Sequence, residues 1–229
     1  MTTFVLLPGG GGQSNTWQFV VDRVRGAGHE ALAIEIQQDD PKLGLPEYAQ
    51  ITAAAIARRE QEGPIVVAAL SLGGFTAPDV ALASAEVSHI VLVNAMIPLP
   101  GETASAWWEA SGSIAARDAN DAAQGRSSDE FDPDEYFYNG LSDEARAVLA
   151  SEPDRYPAGT PFAQTCAMQA WPNVPTTVLV GADDRFFPAA FQKQVAKDRL
   201  GLEAQVIPGG HMLPLANPEA VTAALLAVS

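Results

Sequence analysis

Residues Ile65–Leu70 form a continuous apolar run, and this run constrains the fold more than any other part of the chain. A strand with one face in water alternates apolar and polar residues, whereas the sequence Ile-Val-Val-Ala-Ala-Leu does not alternate. Such a run fits a strand that is buried on both faces. Because that is the usual environment of a strand in a parallel sheet covered by helices, we predict an α/β fold.

Similar runs recur along the chain, separated by segments with the spacing of amphipathic helices. The predicted strands are residues 4–7, 31–36, 65–70, 90–93, 176–180 and 204–207. The predicted helices are residues 16–26, 46–62, 73–85, 189–200 and 218–228. Strands that alternate with helices in this way predict a mostly parallel sheet with helices on both faces.

One stretch, residues 99–160, interrupts this alternation. It has no strong strand pattern and carries 13 acidic against 4 basic residues. It also holds a cluster of aromatic residues: Trp107, Trp108, Phe131, Tyr136, Phe137 and Tyr138. An insertion into an α/β sheet often forms a helical lid over the site at the carboxyl ends of the strands. We therefore predict a core of residues 1–98 and 161–229 with an inserted helical lid at 99–160, the alternative being a solvated helical excursion.

The composition disfavours several classes of partner. The chain has 13 Lys and Arg against 28 Asp and Glu, so its formal charge of -15 disfavours binding to nucleic acid or to an anionic membrane. Its single cysteine, Cys166, excludes an internal disulfide and a cysteine-based metal cluster, and no metal-ligand spacing is present. The residues after Met1 lack a charged leader and a long apolar run, so we expect a cytoplasmic protein.

Ser71 directly follows the buried run and lies in the sequence Ala69-Leu70-Ser71-Leu72-Gly73. A nucleophile at a sharp strand-to-helix turn needs small residues two positions before and two after it, and Ala69 and Gly73 meet that need. This nucleophile elbow would raise the serine above the sheet and point the Leu72 N–H at an oxyanion. The alternative is that Ser71 caps the N-terminus of the following helix.

A serine hydroxyl needs a base to take its proton, and the chain has three histidines. His29 is expected in a surface turn, and His89 at the amino edge of the sheet. His211 lies in a glycine-rich loop after the strand at 204–207, at the carboxyl end of the sheet. We therefore predict His211 as the base.

The base needs a carboxylate to orient its ring, and Asp183 and Asp184 both follow the strand at 176–180. Either of them could instead be a turn or helix-cap residue. The order Ser71, then Asp183 or Asp184, then His211 is the order found in α/β-hydrolases.

The chain resembles the α/β-hydrolase superfamily over nearly its whole length, and in particular its compact branch of plant methyl-ester esterases and hydroxynitrile lyases. The matching stretches are 4–10 with Trp17, the elbow at Ser71, 180–192 and 209–212. In that branch the catalytic acid stands four residues before the proline that precedes a Phe-Gln pair, which implies Asp184. The resemblance also implies that the Gly10 N–H is the first oxyanion donor, beside Leu72.

The chain departs from the branch at two positions. Pro8 replaces the histidine of the oxyanion loop, and Ala69 replaces the first glycine of the elbow. Both positions support loops and neither is the nucleophile.

The resemblance further implies ester hydrolysis. Lyases of the branch have a lysine directly after the catalytic histidine and a threonine in the oxyanion loop. This chain has Met212 and Gly9 there, and neither side chain can donate a proton. We expect a serine hydrolase that cleaves a small carboxylic ester through an acyl-enzyme, without a cofactor.

Two other functions remain open: a cofactor-free lyase or C–C hydrolase that uses the same triad, and a binding protein of this fold without turnover. The four consecutive glycines, 9–12, could suggest a phosphate-binding loop. However, no lysine follows them and the dinucleotide-binding pattern is missing, so the signal for nucleotide binding is weak. The expected partner is a small-molecule ester, and the predicted substrate contacts are Trp107, Trp108, Phe137, Tyr138 and Met212.

Overall fold

The computed structural model describes residues 1–60, 62–127 and 131–229. Its sheet has six strands, β1 to β6, which are Thr3–Leu7, Glu30–Ala33, Ile65–Leu70, Val87–Val93, Thr176–Gly181 and Gln205–Ile207. Their order in the sheet is β2-β1-β3-β4-β5-β6, and every neighbouring pair is parallel. The predicted parallel sheet is confirmed.

The described residues form eleven α-helices and two 3-10 helices. The α-helices α1 to α11 are Gln18–Gly26, Leu45–Ile56, Ala77–Ala83, Ala104–Ser111, Ser113–Ala123, Pro133–Tyr136, Asp143–Leu149, Thr160–Ala163, Ala189–Leu200, Leu213–Ala216 and Pro218–Leu226. The 3-10 helices are Ser14–Trp17 and Ser71–Phe75.

The two faces of β3 show why its sequence is continuously apolar. Val67 and Ala69 belong to one core cluster, which includes side chains of α2, α3 and α9. Val66, Ala68 and Leu70 belong to a second cluster, which includes side chains of α1, α10 and α11. All of these strand residues are fully buried. Both faces of the sheet are therefore covered by helices.

The order of the strands places a crevice between β1 and β3. The chain runs from β1 to the edge strand β2 and then crosses back to β3 on the other side of β1, so the connections leave β1 and β3 in opposite directions. Leu7 pairs with Ala69 at the carboxyl ends of these strands. The first residues of the glycine-rich loop and Ser71 consequently leave the sheet side by side.

Four predicted boundaries are wrong by three residues or more. The strand predicted at 90–93 begins at Val87. The helix predicted at 46–62 ends at Ile56, where the apolar stripe stops and Arg58, Arg59 and Glu60 follow. The helix predicted at 73–85 begins as the 3-10 helix Ser71–Phe75, and α3 starts only beside Pro78, which fits a first helical turn.

The strand predicted at 31–36 ends at Ala33. The Ile34 N–H still donates to the Leu6 carbonyl of β1 at 3.0 Å, but the Ile36 N–H donates to the carbonyl of Gly12 at 2.9 Å instead of to a strand. The chain after β2 thus supports the glycine-rich loop, a contact that becomes important at the site.

The insertion between β4 and β5 is helical in the residues that the structure describes. It contains α4 to α7 and the start of α8, and its edge is tied by an isolated antiparallel bridge between Thr103 and Thr165. Among the described residues, no helix is long and apolar enough to cross a membrane.

Candidate active site

Ser71 has the strained backbone that a nucleophile elbow requires. Its φ is 50°, in the left-handed region that residues with a side chain rarely adopt. A Cβ on Gly73 would lie 2.6 Å from the Pro8 carbonyl oxygen, and a Cβ on Gly74 would lie 2.0 Å from that of Met96. Both positions therefore need glycine because neighbouring backbone passes so close. The strain and these close contacts fit a nucleophile elbow better than a simple helix cap.

Ser71, His211 and Asp184 form a continuous hydrogen-bonded chain. The Oγ of Ser71 lies 3.1 Å from Nε2 of His211, and Nδ1 of His211 lies 2.9 Å from Oδ2 of Asp184. Because a carboxylate only accepts, Nδ1 carries the proton of the ring, and Nε2 is left to accept from the serine hydroxyl. All three side chains are buried.

The two aspartates after β5 have different positions. Oδ1 of Asp184 also accepts from the backbone N–H groups of Phe186 at 2.9 Å and Phe187 at 2.8 Å. Asp183 is exposed, and its Oδ2 accepts from the Gly209 N–H at 3.1 Å. Asp184 is thus the aspartate that contacts His211, and Asp183 fastens the base of the loop on which His211 lies.

Two buried amides, Asn94 and Gln192, support these three hydrogen-bonded residues, and neither is among the residues predicted for the site. Asn94, which follows β4 with a φ of 44°, donates from Nδ2 to the carbonyls of Gly210 at 3.0 Å and His211 at 2.9 Å. Its Oδ1 accepts from the Gly181 N–H at 2.7 Å. Asn94 therefore ties the end of β5 to the loop of the histidine. The feature of the sequence that could have pointed to Asn94 is its position as a polar residue directly after a buried strand.

The second amide is Gln192 on α9. Its Nε2 lies 3.1 Å from Oδ2 of Asp184, 3.2 Å from Oδ1 of Asn94 and 2.6 Å from the Phe187 carbonyl oxygen. Gln192 thus contacts the same carboxylate oxygen as His211. This residue belongs to the Phe-Gln pair that carried the family resemblance.

Gly10 and Leu72, the predicted oxyanion donors, both line a cavity together with Ser71. A Cβ on Gly9 would lie 3.2 Å from Cβ of Ser71, so the glycine-rich loop passes directly beside the serine. Leu72 is the second residue of the 3-10 helix, where N–H groups have no acceptor within the helix. Among the described residues, none accepts a hydrogen bond from the Gly10 N–H.

The cavity over Ser71 has a volume of about 200 Å³ and a mostly apolar lining. The predicted contacts Trp108, Phe137, Tyr138 and Met212 all line it, together with Phe162 and Phe186. Burial, with smaller contributions from nearby acidic groups, raises the pKa of Tyr138. Its phenol therefore stays protonated near neutral pH and can donate to a bound ligand.

Trp107 does not reach this cavity, contrary to the prediction. Its side chain is 1% exposed, its Nε1 donates to the Ile97 carbonyl at 3.1 Å, and its ring packs edge-to-face on Phe187. Successive residues of a helix point about 100° apart, so on α4 Trp108 faces the cavity while Trp107 faces the core.

The insertion contacts the loops that hold the acid and the base. Glu135 pairs with Arg185 at 2.5 Å, directly after Asp184, and Nδ2 of Asn139 donates to the Asp183 carbonyl at 2.9 Å. The Phe137 ring lies 5.4 Å from that of His211. The insertion therefore contacts both of these loops and the histidine ring, and it forms one wall of the site.

The other two histidines lie elsewhere. Nδ1 of His29 accepts from the Thr2 N–H at 3.3 Å, and Nε2 of His89 lies 2.9 Å from Oγ1 of Thr177 in the sheet. Burial lowers the pKa of His89. In the described part of the chain, no group of three or more His, Cys, Asp or Glu could hold a metal ion.

Several solved structures share this fold. Polyneuridine aldehyde esterase aligns with a TM-score of 0.76 and 17% identity, covering 100% of this chain and 99% of its own. A pyrethroid hydrolase from Sphingobium faniae aligns at 0.74 and 18%, covering 99% and 96%, and a methylesterase from Arabidopsis at 0.74 and 16%, covering 99% and 98%. At such identities these likenesses show the fold alone.

The comparison of sequences identifies the family to which the chain belongs. No curated protein sequence gives a significant match. A family model described as the Alpha/beta hydrolase family, however, matches residues 4–224, nearly the whole length of the chain. The resemblance found from the sequence motifs is confirmed. The chain belongs to the alpha/beta hydrolase family.

Proposed function

We propose that the protein is a serine hydrolase that cleaves small carboxylic esters through an acyl-enzyme intermediate. The observation that carries this proposal is the buried hydrogen-bonded chain from Ser71 Oγ through His211 to Asp184. A second support is the open N–H of Gly10 beside the serine. Three structurally similar proteins are named as esterases or a hydrolase, which agrees with the reaction proposed for this chain.

Acylation begins when Ser71 Oγ attacks the ester carbonyl carbon and its proton moves to Nε2 of His211. The carbonyl oxygen becomes an oxyanion, which accepts from the N–H groups of Gly10 and Leu72. The carbon–alkoxide bond then breaks, and the departing alkoxide takes the proton from Nε2. An ester of Ser71 with the acyl group remains.

Deacylation repeats these steps with water. His211 takes a proton from water, the hydroxide adds to the acyl carbon, and the same two N–H groups bind the second oxyanion. When the bond to Ser71 Oγ breaks, the serine recovers its proton from His211 and the carboxylic acid leaves. Asp184 stays ionised and stabilises the imidazolium in both halves.

The lining of the cavity suggests the substrate class. Aromatic and aliphatic side chains make up most of the lining around the serine, and its polar members include Gln13, Tyr138, Asp154, Arg155 and Tyr156. A volume of about 200 Å³ fits a small ester, and an apolar wall favours one without a charge near the scissile bond. We propose that residues 99–160 act as the lid of the core formed by 1–98 and 161–229, because Trp108, Phe137 and Tyr138 come from this insertion.

The test is a series of p-nitrophenyl esters with acyl chains from acetate to dodecanoate. Wild type is expected to release p-nitrophenol with a preference for short chains, and Ser71→Ala is expected to release it at least about a thousandfold more slowly. Release by Ser71→Ala at the wild-type rate would contradict the proposal. Exposed Ser229, changed to alanine, is the matched control.

A further inference from the structure

We propose that the side-chain amide of Gln38 positions the Gly9–Gly10 peptide and so aims the Gly10 N–H into the cavity. Gln38 is then a positioning residue that acts through the oxyanion loop without touching substrate. This inference rests on the proposed function, since it assigns the support of that same site.

The contacts of Gln38 suit this role. Its side chain is buried, with 2% of the residue exposed. Nε2 donates to the Gly9 carbonyl oxygen at 3.1 Å, and Oε1 accepts from the Gly11 N–H at 3.0 Å. One amide therefore holds the two peptide groups on either side of Gly10.

Because a peptide group is planar, these contacts also fix the direction of the Gly10 N–H. In a trans peptide the C=O and N–H groups point in opposite directions, and no cis peptide occurs among the described residues. Because the Gly9 carbonyl points at Gln38, the N–H of the same peptide, which belongs to Gly10, points away from Gln38. Gly9, Gly10 and Ser71 line the cavity, while Gln38 lies behind the loop.

The loop's own contact at the Gly9 carbonyl is a hydrogen bond from the Gly12 N–H at 3.3 Å, and Gln38 adds a shorter one at 3.1 Å. Four consecutive glycines have wide conformational freedom, and Gly11 and Gly12 take φ values of 97° and 80°. The side chain of Pro8 has no donor, so it cannot hold the loop by a hydrogen bond. A primary amide carries a donor and an acceptor on two separate atoms at one side-chain end and does not titrate, which matches a carbonyl and an N–H two residues apart.

Gln38 is itself fixed from two sides. Its N–H donates to the Ile36 carbonyl at 2.9 Å, in the segment that follows β2. Its carbonyl accepts from the Ala158 N–H at 2.7 Å, which connects it to the end of the insertion. The amide is consequently held in place before any ligand arrives.

Two variants separate the parts of this role. Gln38→Leu removes both hydrogen bonds, and we expect kcat to fall by about tenfold or more while KM changes little, because the lost orientation matters mainly when the oxyanion forms. Gln38→Glu keeps the acceptor for Gly11. Its second oxygen can donate to the Gly9 carbonyl only while the carboxyl is protonated.

The pH dependence of Gln38→Glu follows from that difference. Burial favours the neutral carboxyl, so the donor is present at low pH and is lost as the pH rises. The ratio of variant to wild-type kcat should therefore fall between about pH 5.5 and pH 9. The matched control is Gln37→Glu, the same chemical change one residue earlier at an exposed position, and its ratio should stay constant.

A fluorophosphonate supplies a measurement that does not depend on the ester. Its phosphoryl oxygen occupies the oxyanion position when the reagent bonds to Ser71, so Gln38→Leu should label about tenfold more slowly than wild type. Thermal unfolding of each variant checks that the fold persists. Equal labelling of folded Gln38→Leu and wild type, or a pH-independent ratio for Gln38→Glu, would overturn the proposal. Failure of ester hydrolysis alone would overturn the proposed function and leave the labelling test standing.

Discussion

Nε2 of Gln192 lies 3.1 Å from Oδ2 of Asp184, the carboxylate oxygen that also contacts His211 at 2.9 Å. The acid therefore has partners on both of its oxygens, because Oδ1 accepts from the N–H groups of Phe186 and Phe187. A carboxylate held by four donors cannot rotate away from the histidine.

Gln192→Leu should lower kcat by about tenfold, because Asp184 then loses one of the donors that fix its plane. KM should change little, since Gln192 does not line the cavity. Gln194→Leu is the matched control: this glutamine is exposed on the same helix and donates to Asp198 at 2.8 Å. Steady-state kinetics of the two variants make the comparison, and equal activities would refute the role of Gln192.

Asp184→Asn should reduce kcat about a hundredfold more than Asp183→Asn. An amide in place of the Asp184 carboxylate would favour the wrong tautomer of the histidine ring, whereas the Asp183 carboxylate accepts from the Gly209 N–H at the base of the loop. The measurement is kcat for one p-nitrophenyl ester at one pH. If the two variants lose activity equally, or the order reverses, the assignment of the acid is wrong.

The two adjacent tryptophans of α4 should respond differently to alanine. Trp107→Ala should lower the free energy of unfolding by about 3–5 kcal/mol, because its ring fills the core and is almost fully buried. Trp108→Ala should shift the preferred acyl chain length, because its ring lines the cavity. Denaturant titration and the ester series measure the two effects. An unchanged chain-length profile for Trp108→Ala would remove it from the specificity site.

The protein should not release cyanide efficiently from cyanohydrins. Departing cyanide carries negative charge, and Met212 and Gly9 offer neither a cation nor a hydroxyl beside His211. Arg155 also lines the cavity, but its guanidinium is paired with Glu35 and Glu152. The measurement is cyanide formed from mandelonitrile or acetone cyanohydrin at about pH 5, where spontaneous, base-promoted decay of the substrate is slow. Release well above the Ser71→Ala background would favour the lyase over the esterase.

Much of the fold follows from local patterns in the sequence. The continuous apolar run at 65–70 predicts a strand covered on both faces, and the strand is found there with all of its residues fully buried. Ser71 and His211 could be singled out because each follows a strand at the carboxyl end of a parallel sheet. Asp183 and Asp184 could not be separated by pattern alone, and the family resemblance selected the one that contacts His211.

The rest depends on contacts between distant parts of the chain. Gln38 follows an edge strand and carries no periodic signal, and its role depends on where the glycine-rich loop lies, 27 and 29 residues away. Trp107 and Trp108 are equivalent as residue types, and only the rotation of α4 against the sheet separates them. The division into core and lid and the cytoplasmic location stay predictions.

The central claim is that Ser71 is the nucleophile, and covalent labelling followed by peptide mass spectrometry tests it most directly. Wild type treated with a fluorophosphonate should carry the adduct on Ser71 and on no other serine. Ser71→Ala should carry none, and its ester turnover should fall by about a thousandfold or more with the fold intact. An adduct on a different serine, or full turnover by Ser71→Ala, would contradict the account.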